Sequence, residues 1–159
     1  MTAPSAPIPE TPEHRAALAR SIRAATSLDE ATLERLLRAF YAAAREDALL
    51  APAFAHVSDW EAHIARICAF WSSVALMTGR YHGQPMAAHL PLGLGAEHFA
   101  RWLDLFEQTA RGICTPEGTE HLMARARRIA QSMEIGIEVS RGVLPGTRPA
   151  RRDAPANPA

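Results

Sequence analysis

The chain has 159 residues, room for one domain, and 48 % of them are apolar, enough to build a packed core. Its 17 basic and 17 acidic residues balance to a formal net charge of zero, which argues against a nucleic-acid or anionic-membrane footprint. Every basic residue is Arg, so lysine chemistry such as Schiff-base formation is excluded.

Two cysteines, Cys68 and Cys114, fall in apolar helical patterns and form neither a disulfide framework nor a C-x-x-C pair. The N-terminus lacks the apolar core of a signal peptide, and no run approaches the roughly eighteen apolar residues of a membrane span. A soluble, cytoplasmic protein is expected.

Taken in chain order, residues 1–10 are rich in Pro and Ala and read as disordered. Thr11-Pro12-Glu13 is a helix start: a capping hydroxyl, Pro at the first helical position, then an acid near the positive end of the dipole. The helix it opens, to about Ala25, carries only a thin apolar stripe and reads as accessory. Ser27-Leu28-Asp29-Glu30 reads as a capping box, with Leu33, Leu36, Leu37, Phe40, Tyr41 and Ala44 following on one helix face. Leu49 to Phe54 is a short apolar turn that Pro52 keeps from lengthening. Ser58-Asp59-Trp60-Glu61 reads as a second capping box before a wide apolar face from Trp60 to Ala75, closed by a Gly79 C-cap.

Next comes a polar break, Tyr81 to Leu90, interrupted by Gly83 and Pro85, with room for one or two helical turns around Met86–Leu90. After the loop Pro91 to Gly95, a helix from Ala96 to about Gly112 turns Phe99, Trp102, Leu103, Phe106, Ala110 and Ile113 inward. Thr115-Pro116-Glu117 repeats the cap-Pro-acid start, and the last helix carries Leu122, Ala126, Ile129, Met133 and Ile137. Beyond Gly142 the chain turns to Pro, Gly and Arg and reads as a disordered tail. No strand pattern of any length occurs, and the fold class is all-α.

Tyr41, His63 and Trp102 place polar tips inside apolar stripes on three helices, and His89 sits on the broken element. Each alone reads as ordinary core or loop. Jointly, polar tips converging amid apolar and aromatic residues are the make-up of a small-molecule or cofactor pocket. Metal sites built from protein ligands alone do not fit. None of the seven histidines follows a Glu by three positions, no H-E-x-x-H occurs, and His63, His82 and His89 do not share a helix face. One imidazole holding iron in a flat macrocycle needs only itself.

Phe40-Tyr41, Asp47 to Phe54, Trp60-Glu61-Ala62-His63, Phe70-Trp71, Tyr81-His82-Gly83-Gln84-Pro85, His89 and Phe99-Ala100-Arg101-Trp102-Leu103 stand in order over about residues 28–139. Together they resemble a group III truncated haemoglobin, a bacterial globin-like family, with the Y-x-G-Q-P-x-x-x-H block the most specific piece. The resemblance implies a two-over-two helical sandwich around one haem b. It divides the chain into a partly helical extension (1–26), a truncated globin domain (27–141) and a disordered tail (142–159). By matched position, His89 is the proximal iron ligand, and Tyr41 and Trp102 are distal donors to a bound diatomic. His63 is a distal gate, Phe54 packs on the haem, Ile67 walls the pocket and Arg66 pairs with a haem propionate. His98 is read as a surface residue at a helix N-terminus.

The function so implied is binding of dioxygen, CO or NO at a pentacoordinate iron, for storage or sensing. The alternative is an enzyme, nitric oxide detoxification or peroxidase-like chemistry. No flavin or nicotinamide fingerprint is present, so that reading needs a separate reductase. A third reading, a plain helical interaction module, predicts a colourless protein.

Overall fold

A computed structural model describes residues 11–142, and the disorder expected for 1–10 and for the tail beyond Gly142 falls outside them. The described residues form six α-helices and two short 3-10 turns, with no strand among them. The helices are α1 (Pro12–Thr26), α2 (Glu30–Glu46), α3 (Trp60–Leu76), α4 (Pro85–His89), α5 (Ala96–Ile113) and α6 (Pro116–Ser140). The 3-10 turns are Ala51–Phe54, where Pro52 sits in the first turn, and Leu90–Leu92. None of the helices is long and apolar enough to cross a membrane.

Helix starts follow the sequence, with one systematic difference. Thr11 and Thr115 cap α1 and α6, accepting from the His14 and Gly118 amides. At α2 and α3, however, the caps are Asp29 and Asp59, not the serines of the expected boxes: their carboxylates accept from Thr32 N at 2.8 Å and Ala62 N at 3.1 Å. Ser27 instead closes α1 in the left-handed region (φ 57°), because only three residues separate the two helices. An anionic cap also gains from the helix dipole where a serine does not. The α3 C-cap is likewise not Gly79 but Met77, at φ 59°, so the helix ends at Leu76. Cys114 lies just beyond α5 as its C-cap rather than within it. Both cysteines are free thiols.

Helix α2 packs on α3 and α5, and α5 packs on α6, the expected two-over-two arrangement. Phe40, Phe106, Leu33, Leu36, Leu37 and Leu122 are fully buried between them. Phe106 lies stacked against two indoles, Trp102 and Trp71, each with its centroid 5.0 Å away. The extra helix α1 is docked, not loose. Its last carbonyl, on Thr26, accepts from the Thr115 hydroxyl at 2.9 Å, and Gly118 passes so close that a Cβ there would lie 2.8 Å from the same oxygen.

The connector from α3 to α4 is tied down at both ends. Ser72, wholly buried, donates to Glu30 at 2.5 Å, so the Thr78 hydroxyl 2.6 Å away donates to Ser72. Arg80 pairs with Glu30 at 2.9 Å, and the Tyr81 amide donates to Ser73 at 2.8 Å. Helix α4 has only five residues, too few to be stable by itself. It rests on α6 where Gly136 leaves room for Met86, and a Cβ at 136 would lie 2.7 Å from the Met86 sulfur.

Candidate functional site

Between α3 on one side and α4, α5 and α6 on the other lies a cavity of about 290 Å³. It brings together every residue that the sequence singles out: Tyr41, Phe54, His63, Arg66, Ile67, His89 and Trp102. The remaining wall is mostly apolar, with Leu50, Phe70, Leu92, Leu94, Phe99 and Met133 among its members. A second depression, about 430 Å³ between α5 and α6, is a surface feature whose charges pair among themselves, Arg111 with Glu107 at 2.7 Å.

Helix α2 supplies Tyr41, buried against Phe40 and Phe54 with ring centroids 4.9 and 5.6 Å away. Burial pushes its phenol well above the usual tyrosine range. The Cys68 thiol adds to this, and the Trp102 indole draws it partly back. The phenol therefore keeps its proton and can donate a hydrogen bond. Trp102 comes from α5, held by its stack on Phe106 and an edge contact with Phe40 at 5.5 Å.

Helix α3 supplies His63, one turn after the Asp59 cap. Its ring stands edge-on to Tyr41 at 5.6 Å and to Trp60 at 5.3 Å. Its Nε2 is buried without a hydrogen-bond partner among the described residues. Burial first, then the charge of Arg66, lowers its pKa and favours the neutral ring. A buried nitrogen of this kind calls for a partner beyond the described residues. Arg66 lies one turn on, exposed at the cavity mouth and engaged in no ion pair among the described residues.

Opposite stands His89, at the end of α4. Its Nδ1 lies 2.6 Å from the Pro85 carbonyl. A carbonyl can only accept, so Nδ1 carries the proton and Nε2 keeps a free lone pair. This is the arrangement of a metal-binding imidazole whose orientation and basicity are set by an outer hydrogen bond. Among the described residues no cluster of three or more His, Cys, Asp or Glu could hold a metal by itself. A single imidazole in an apolar, aromatic chamber is compatible with iron held mainly by a macrocycle.

The site contains two histidines that the sequence reading left out or misplaced. His98 is not a surface residue: its side chain is 21 % exposed and lines the cavity from the start of α5. His56, just after the Ala51–Phe54 turn, lines it as well. Neither lies on a periodic apolar stripe, so only the three-dimensional course of the loops places them there.

No protein-family model matches the chain. It is 31 % identical over 114 residues to the group 3 truncated hemoglobin of Campylobacter jejuni, covering 68 % of this chain and 90 % of that protein. The crystal structure of a group III truncated hemoglobin from Campylobacter jejuni superposes with a TM-score of 0.63 at 32 % identity, covering 67 % of this chain and 89 % of that one.

Proposed function

The chain belongs to the group III truncated haemoglobins, and from that premise we propose that residues 27–141 hold haem b through His89 and bind dioxygen and other diatomic ligands. The observation that carries this reading is the His89 tautomer. With its Nδ1 proton given to Pro85, the imidazole presents the lone pair of Nε2 inside an apolar, aromatic cavity. When bound, haem supplies an iron coordination position for a diatomic such as dioxygen, CO or NO.

The residues present fit that group. Among the described residues His63 has a buried nitrogen lacking a partner and Arg66, at the mouth, has no ion pair and is available to a propionate, while Phe54 and Ile67 offer apolar wall. Tyr41 and Trp102 donate hydrogen bonds to the diatomic. The raised phenol pKa keeps Tyr41 in its donating form. His63, neutral and packed edge-on between Trp60 and Tyr41, fills the space through which a ligand would enter and acts as a gate. Tight hydrogen bonding slows release, which suits storage or sensing better than rapid transport.

The test is the visible absorption spectrum of the full chain purified with haem supplied. A strong haem band is expected, lost or displaced in His89→Ala and restored to that variant by added imidazole. A colourless wild-type protein, or a His89→Ala variant with an unaltered spectrum, overturns the assignment.

A further inference from the structure

We propose that His98 is a second haem-holding residue, donating its Nε2–H to a haem carboxylate; this rests on the haem reading above. Of the four histidines that line the cavity, two are fixed by backbone groups in opposite tautomers. His89 gives its Nδ1 proton to the Pro85 carbonyl and keeps a lone pair on Nε2. His98 does the reverse: its Nδ1 accepts from the Gly95 amide at 3.0 Å. An amide can only donate, so the neutral ring carries its proton on Nε2. The exposed Glu97 carboxylate lies 3.4 Å from the same Nδ1 and leaves the amide contact in place.

The consequence is a division of labour. His98 has no free lone pair for a metal while Gly95 holds its Nδ1, so it does not compete with His89 for iron. What it offers is a donor, and Nε2 has no hydrogen-bond partner among the described residues. Leu92, Leu94, Phe99 and Met133, which line the same cavity, carry no side-chain carboxylate, amide or hydroxyl that could accept that proton. An occupant of the cavity can supply that acceptor, and the acceptors that haem carries are its two carboxylates. Arg66 reaches the cavity from α3 and His98 from α5, one donor from each wall. The backbone bond to Gly95 holds the His98 ring in place before haem arrives, so little freedom is lost on binding.

The experiment measures haem loss from the full chain to excess apomyoglobin, for wild type, His98→Ala and His98→Gln, each loaded with haem or with haem dimethyl ester. The ester has the same ring and iron but no carboxylate charge. With ordinary haem, His98→Ala should lose haem about tenfold faster or more, and His98→Gln, which keeps a donor, should recover part of that. With the ester, the wild type and His98→Ala should differ by less than about twofold. Equal acceleration with both porphyrins, or none with either, overturns the proposal and leaves His98 a packing residue. A wild type that takes up neither porphyrin overturns the haem reading instead, so the two failures are distinct.

Discussion

Replacing Tyr41 with Phe removes one oxygen atom and little else. The ring contacts with Phe40, Phe54 and His63, at centroid distances of 4.9, 5.6 and 5.6 Å, do not involve that oxygen. The hydroxyl makes no strong bond to the backbone whose loss would unfold the helix, so stability should change little. A hydrogen bond to a ligand bearing charge contributes about 1.5–3 kcal/mol. At about 1.4 kcal/mol per factor of ten, its loss should raise the dioxygen release rate roughly 10- to 150-fold. The assay is stopped-flow dissociation from the ferrous protein, with carbon monoxide as the control ligand. Carbon monoxide takes up less negative charge, so its release should quicken far less. Because burial raises the Tyr41 pKa, the wild-type rate should also stay flat through about pH 10, where an ordinary phenol would be half ionised. An unchanged dioxygen rate, or equal changes for both ligands, would refute the donor role.

Two further outcomes test the scaffold. Gly118→Ala would drive a methyl against the Thr26 carbonyl and the Thr115 hydroxyl, both backbone-anchored, and should destabilise the chain by about 1–3 kcal/mol in a denaturant titration; no shift would mean that α1 is free to move away. Asp47 joins the α2 C-terminus to α5 through Arg101 at 2.7 Å, and that bond, with the Leu50 and Leu49 amides, holds its carboxyl below the usual range. A depressed carboxyl pKa contributes stability that is present above the ordinary carboxylate range and lost as pH falls through the depressed value. Asp47→Asn should therefore flatten the loss of stability between about pH 5 and pH 2 relative to wild type, measured as denaturation midpoints across that window; parallel curves would show that other groups carry it.

Much of this architecture is readable from local chemistry. The Thr-Pro-Glu starts at Thr11 and Thr115 are unambiguous because one residue type fills each role. The Ser27 and Ser58 boxes misled because a serine and an aspartate stand within two residues of each other. Both can cap, and the choice depends on how much chain the preceding element uses. Met77 in a left-handed cap is equally invisible, since no sequence signal favours it over Gly79 two residues on. At the site, Tyr41, His63 and Trp102 are legible as polar tips inside apolar stripes, a contradiction that periodicity exposes. His56 and His98 carry no such contradiction. They reach the cavity through the course of a 3-10 turn and of the three residues before α5, geometry that only long-range packing fixes. The opposite tautomers of His89 and His98 were also beyond the sequence, because each depends on a single backbone group a few residues away.

Gly136 gives α6 a control over the pocket that no pocket residue has. Helix α4 is too short to fix its own position, and Met86 seats it in the notch that Gly136 leaves. The placement of His89 thus depends in part on a residue forty-seven positions along the chain. A methyl at 136 meets the end of a flexible thioether rather than backbone, so it should shift α4 slightly instead of unfolding it. In the proposed haem site, position 136 is then a dial: the strength with which the His89 imidazole would pull on iron can be graded by side-chain volume there, with every residue proposed to touch a ligand left unchanged.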